Sequence, residues 1–171
     1  MAKDVLVCIP ILDSRLEFAQ RVSLPSLRNS LSVYRGAVAF SVSLVAQNIP
    51  PEALARFSDL PRWYLQHVDQ AIAPCPFGDR LGMYQARCRA ALTGYSYYLI
   101  VDDDFRFHSD SVTRYAEIIE GMEADPKVGS VMCGSFFGGG RNKADPFYPY
   151  PDQSIWTNKG LIVRNLGRIH P

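Results

Sequence analysis

Three carboxylates in a row, Asp102-Asp103-Asp104, follow directly on the apolar run Tyr97-Tyr98-Leu99-Ile100-Val101. Adjacent carboxylates repel one another, and a divalent cation relieves that repulsion. Oxygen ligands suit Mg2+ or Mn2+, and Mg2+ is commonly held by one or two carboxylates together with substrate phosphates. A cation held here can bridge a diphosphate and neutralise charge as a phosphate leaving group departs. On a continuing strand, alternation puts Asp102 and Asp104 on one side and Asp103 on the other. The competing reading is a solvated turn whose acids cap the next helix. Ser109 and Asp110 are better placed for capping.

The elements that must carry the triplet alternate between strand and helix signals. Val5 to Ile9 is a short apolar run ended by Pro10, as in a strand buried on both faces. Leu16, Ala19, Ser23, Leu27 and Leu31 recur at helical spacing, with Pro25 kinking or restarting that helix. Phe40 to Val45 reads as a second strand closed by Gln47-Asn48, and Pro50-Pro51-Glu52 as a helix start. Trp63 to Val68 is a third strand. Leu81, Tyr84, Cys88 and Leu92 form one stripe of a helix over Gly78 to Leu92, stopped by Gly94. Val112, Tyr115, Ile119 and Met122 mark another amphipathic helix. Val128 to Cys133 and Leu161 to Val163 are the last two strands. Such alternation predicts an α/β fold with a mostly parallel central sheet and flanking helices, in which ligands bind beyond the carboxyl ends of the strands.

Length and composition bound the rest. At 171 residues, one domain with one core is expected. A net charge of +1, from 18 basic and 17 acidic residues, excludes a polybasic tail as the main source of binding. No apolar run approaches the roughly 20 residues that span a bilayer. The N-terminus, with Asp4 ahead of its apolar stretch, reads as a strand rather than a signal peptide. Cys8, Cys75, Cys88 and Cys133 are far apart and read as reduced, mostly buried thiols, so a cytoplasmic protein is expected.

The stretch from Gly82 through Ala86-Arg87 and Gly94 to Asp102-Asp103-Asp104 resembles glycosyltransferases of the GT-A fold, particularly the family 2 type. These have a glycine, an Ala-Arg pair, a helix, a glycine-containing turn, an apolar strand and a D-x-D motif, in that order. VLVCIPILDSR, with the following SLPSL helix, looks like their first strand and helix, and the likeness spans roughly residues 4 to 135. It implies a Rossmann-like nucleotide-diphospho-sugar transferase that moves a sugar from a nucleoside-diphosphate sugar, a UDP-sugar foremost, to an acceptor hydroxyl with Mn2+ or Mg2+. Residues 1–135 would bind the nucleotide sugar and 136–171 would form a loop-rich acceptor or closing part. Asp102 would lie near the ribose or metal, and Asp104 would ligate the metal. Arg87 would lie near the nucleotide or its phosphates, and Pro10 and the loop to Arg15 would border the base and ribose. Asp103 stands with the substrate-binding candidates. A late histidine completes the metal site in several such enzymes, which makes His170 the first candidate and His108 the second.

The departures from the pattern matter equally. Many relatives carry a uracil-reading acid just after the second strand, where this chain has Gln47-Asn48, so the base stays open. Inverting members place a catalytic acid well after the metal motif. Asp145 and Asp152 are the candidates here to deprotonate an acceptor hydroxyl. The chain stops at Pro171, earlier than most such domains, which leaves the acceptor half reduced or supplied by a second subunit of a homo-oligomer. Within the loop from Phe136 to Trp156, Gly138-Gly139-Gly140-Arg141-Asn142-Lys143 lacks the P-loop pattern. It reads as a flexible loop, with Arg141 or Lys143 meeting diphosphate charge. Phe147, Tyr148, Tyr150 and Trp156 are candidates to stack on a sugar or base, or to pack over the sheet. Two other functions fit parts of the sequence: a non-catalytic module that binds nucleotide sugars, and a nucleotidyltransferase. The latter usually has glycines after its first strand, and Ile11 to Arg15 has none.

Overall fold

A computed structural model of the chain describes residues 3–62, 64–68, 94–136 and 156–165. Its centre is a six-stranded sheet in the order β3-β2-β1-β4-β6-β5. The strands are β1 (Asp4–Leu12), β2 (Ala39–Gln47), β3 (Tyr64–Val68), β4 (Tyr97–Val101), β5 (Ser130–Phe136) and β6 (Trp156–Arg164). The pairs β1–β2, β1–β4 and β2–β3 are parallel, and β6 runs antiparallel to both β4 and β5. The molecule is therefore α/β with a mostly parallel sheet flanked by helices, as the alternating signals predict.

Between β1 and β2 the chain makes a 3-10 turn (Asp13–Arg15), a short helix α1 (Leu16–Phe18), a π-helical turn (Ala19–Ser23) and helix α2 (Leu24–Val33). In the π turn the Leu24 N–H donates to the carbonyl of Ala19, five residues back. The wide turn falls just before Pro25, which has no N–H to offer and would crowd the preceding turn of an α-helix. A 3-10 segment, Pro51–Phe57, links β2 to β3, and α3 (Ser111–Ala124) links β4 to β5.

Alternation along the strands sorts the side chains into two layers. Val5, Val7, Ile9 and Ile11 of β1 pack with Val42 and Leu44 of β2 and with Tyr97, Leu99 and Val101 of β4. Leu24 and Leu27 of α2, Leu54 and Phe57 of the 3-10 segment, and Val112 and Ile119 of α3 close this layer. On the opposite face Leu6, Cys8, Val45 and Tyr95 form a second cluster. Each fully buried aliphatic side chain contributes about 1.5–3 kcal/mol relative to exposure. The two layers bury β1 and β2 almost throughout, and every second residue of β4.

Several elements differ from expectation. β1 does not stop at Pro10 but runs on to Leu12, with Pro10 opposite Val45 of β2. On its other side the pairing with β4 ends at Cys8–Ile100, so an imino acid at position 10 interrupts no β4 ladder. β6 begins at Trp156 and is longer than its apolar triplet Leu161-Ile162-Val163 suggests: Gly160 to Arg164 pair with β4, and the polar half from Trp156 to Asn158 pairs with β5. Asp110 is the N-cap of α3, yet its side chain makes no capping hydrogen bond. Ser30 of α2 caps α3 from outside instead. Its hydroxyl accepts from Val112 N–H at 3.0 Å and donates to the Ser109 carbonyl at 3.2 Å. At the other end of α3, buried Arg164 donates to the carbonyls of Met122 and Pro126, as a cation at a helix C-terminus should.

The helix predicted over Gly78 to Leu92 lies outside the described residues. Gly94, its stop signal, is described and has φ 103°, a left-handed conformation that glycine adopts without strain.

The displaced cap gives a direct test. Ser30→Ala strands a buried N–H and should cost roughly 1–3 kcal/mol in urea denaturation. Asp110→Ala loses only an exposed pair with Arg114 and should cost less than about 1 kcal/mol. The reverse ranking would mean that α3 is capped by its own sequence.

Candidate functional site

The first three strands are laid down side by side from β1 outward to β3, and β4 then returns to the other flank of β1. The carboxyl ends of β1 and β4 thus meet where the strand order reverses, the place where open α/β sheets form a ligand crevice. Leu12 ends β1 there, Gln47 ends β2 beside it in register, and the acidic triplet leaves β4.

β4 ends at Val101, so Asp102-Asp103-Asp104 forms a turn and strand alternation does not extend through it. The inward–outward split arises differently. Asp103 is 5% exposed, whereas Asp102 and Asp104 are half-buried. Four features fix the turn. The Asp103 carboxylate accepts from the Leu12 backbone N–H at 3.0 Å, joining the ends of β4 and β1. The Asp103 carbonyl accepts from the Ser23 hydroxyl at 2.5 Å. Just downstream, Phe105 and Phe107 are buried edge to face, 4.8 Å between ring centroids, and Phe107 meets Tyr115 of α3 in the same manner. Finally, the Phe107 N–H donates to the Ser26 hydroxyl at 3.0 Å.

Burial raises the Asp103 carboxyl above its ordinary range; the Leu12 N–H opposes the rise. The charge of Asp104 adds to it, that of Arg15 counters it, and that of Asp102 adds further. Arg15 therefore lies within electrostatic reach of the triplet, on the exposed 3-10 turn after β1. Pro10 is buried within β1, three residues before that turn begins. Gln47 is 4% exposed, and its side-chain oxygen has no hydrogen-bond partner among the described residues. Asn48, the next residue, has φ 55° and turns the chain sharply off β2.

The structure thus brings together Arg15, Asp102, Asp103 and Asp104 of the predicted site, and Pro10 lies buried in β1 before Leu12. His108 is exposed, and its backbone N–H donates to the Ser111 hydroxyl. Trp156 opens β6. Arg87, Arg141, Lys143, Asp145, Phe147, Tyr148, Tyr150, Asp152 and His170 lie outside the described residues. Among the described residues, no group of three or more His, Cys, Asp or Glu is gathered in a metal-holding arrangement, and no helix is long and apolar enough to cross a membrane. Sequence reasoning missed Ser23, Ser26 and Ser30. Their spacing across the π-helical turn and α2 is helical, and only the tertiary contact reveals what they hold.

No family model and no curated protein matches the chain. Among solved structures, eight chains match. One is the crystal structure of S. aureus TarS 1-349, at TM-score 0.47 and 14% identity over 71% of this chain. This chain spans 33% of the length of that one.

Asp103 supplies a pH test. Its folded-state affinity for a proton exceeds the unfolded one, so its contribution to stability is present below the unfolded value of 3.8 and is lost as pH rises through the raised folded value. Asp103→Asn keeps an acceptor for the Leu12 N–H but does not titrate. In metal-free urea denaturation from about pH 4 upward, wild type should lose stability relative to Asp103→Asn and then level off. A difference that stays flat across that range would contradict the buried placement.

Proposed function

We propose that the chain is a metal-dependent glycosyltransferase of the GT-A type, moving a sugar from a nucleoside-diphosphate sugar to an acceptor hydroxyl. One observation carries this reading above the others: the acidic turn sits at the carboxyl edge of the sheet, at the reversal of strand order, locked to the end of β1. The resemblance of residues 4 to 135 to family 2 enzymes gives that position its chemistry.

In this reading Asp102 and Asp104 face the donor and hold Mn2+ or Mg2+ between them. The donor set fits such an ion, because two carboxylates and the substrate's own phosphate oxygens are sufficient and no all-protein cage is needed. A divalent ion there supplies charge neutralisation to the departing nucleoside diphosphate. Arg15 adds positive charge at the same edge. Gln47, a buried amide whose oxygen has no partner among the described residues, faces the base and reads a ring or exocyclic N–H. Asp103 has its carboxylate occupied by Leu12 and keeps the turn in place. Asp145 or Asp152 takes the proton of the acceptor hydroxyl, His170 completes the ion's coordination, and Arg87 and Arg141 meet the phosphates. Trp156 stacks on the donor. A UDP-sugar is the donor of choice.

The test is calorimetric titration of UDP with and without Mn2+. Wild type should bind only with the ion, and Asp104→Ala should abolish that binding while circular dichroism stays unchanged. Across several sugar donors, wild type should release nucleoside diphosphate in the presence of Mn2+. Unchanged affinity in Asp104→Ala would overturn the site, and release of pyrophosphate would replace sugar transfer with nucleotidyl transfer.

A further inference from the structure

The acidic turn is held by a helix that contributes nothing to its charge. Ser23, Ser26 and Ser30 lie three and four residues apart, so they share one face of the helical run. All three meet the segment that leaves β4. Ser23 donates to the Asp103 carbonyl, Ser26 accepts from Phe107, and Ser30 bonds both Ser109 and Val112. Ser23 is 1% exposed, and of these three bonding sets its own falls on the triplet itself. It is also the last residue of the π-helical turn. Such a turn carries an extra residue, and it rotates the downstream helix by about 100° relative to an unbroken α-helix. In this chain it sets the face on which the serines meet the turn.

We infer that Ser23 is a positioning residue for the carboxylates of Asp102 and Asp104, acting through the Asp103 carbonyl; this rests on the metal-site reading of the acidic turn. The Asp103 carbonyl belongs to the peptide unit that joins Asp103 to Asp104, so holding it restricts the direction in which the Asp104 side chain leaves the backbone, while Asp102 is restricted through the anchored Asp103 residue that follows it. The Asp103 carboxylate is tied to Leu12 at the other end of the same residue. Asp103 is thus held at two points, from the π-helical turn that precedes α2 and from β1, so that its neighbours need little rearrangement to meet an ion. Partners that orient metal ligands typically change affinity by roughly 10- to 100-fold when removed. Ser30 holds a comparable number of bonds on the same helix without touching the triplet, which makes it the control for stability alone.

The experiment compares wild type, Ser23→Ala, Ser23→Thr and Ser30→Ala by Mn2+ titration in the presence of UDP, alongside amide hydrogen exchange at Leu12. Ser23→Ala should weaken Mn2+ binding by roughly tenfold or more, and Ser23→Thr, which keeps the hydroxyl, should restore most of it. Ser30→Ala should lose stability and keep its affinity. Leu12 exchange should quicken in Ser23→Ala beyond any change in Ser30→Ala. Unchanged affinity in Ser23→Ala, or equal losses in Ser23→Ala and Ser30→Ala, overturns the inference. If wild type itself binds no Mn2+ with UDP, the functional reading fails, and the positioning claim is then decided by Leu12 exchange: equal rates in Ser23→Ala and wild type overturn it as well.

Discussion

One hydrogen bond, from the Leu12 backbone to the Asp103 carboxylate, makes a site out of two strand ends. Parallel strands fix only that β1 and β4 run the same way. Beyond Cys8 and Ile100 their ladder stops: β1 stays paired with β2 to Leu12 and β4 with β6 to Val101, but no sheet hydrogen bond joins the two ends to each other. A carboxylate 5% exposed, accepting an N–H across that gap, closes it with a charge-assisted bond in a place shielded from water. The arrangement has a cost, because burial and two neighbouring acids all disfavour the charged form of Asp103. Arg15 and the Leu12 N–H oppose that cost, which draws the loop after β1 into the electrostatics of the turn.

The remainder of the described molecule serves this junction. The apolar alternation of β1 and β4 buries both strands in one core layer, so the two exits start from fixed points. The π turn and Pro25 orient α2, whose serines then hold the downstream segment by its backbone. Phe105 and Phe107 pin that segment into the core before α3 begins. Asp102 and Asp104 are left half-buried at the edge of the sheet. In the proposed reading these two acids are the ones that would meet a divalent ion, and a frame that holds them in place beforehand reduces the rearrangement binding requires.

Much of this was legible in the sequence, and the reasons are specific. Val5 to Ile9 and Tyr97 to Val101 are unbroken apolar runs; the first is a strand buried on both faces, and the second buries one face fully and the other in part. The helical stripe of Val112, Tyr115, Ile119 and Met122 matched α3 because each of these faces the core. Pro10 misled, since a proline ends a strand only where its missing N–H is needed, and here the β4 ladder has already stopped. The cap of α3 misled for a related reason: Ser109 and Asp110 are good local caps, but a hydroxyl from α2 holds the Val112 N–H instead. Alternation through the triplet failed because β4 ends one residue before it. The inward placement of Asp103 arose from its bond to Leu12, a contact across 91 positions that no local pattern encodes.

The central claim is that Asp102 and Asp104 are presented together to an ion that carries a diphosphate. Crystals soaked in Mn2+ and UDP test it most directly, through the anomalous signal of the metal. A single strong peak is expected between these two carboxylates and a phosphate oxygen, beyond the carboxyl ends of β1 and β4. A peak elsewhere on the molecule, or nucleotide density with no metal at the acidic turn, would contradict it.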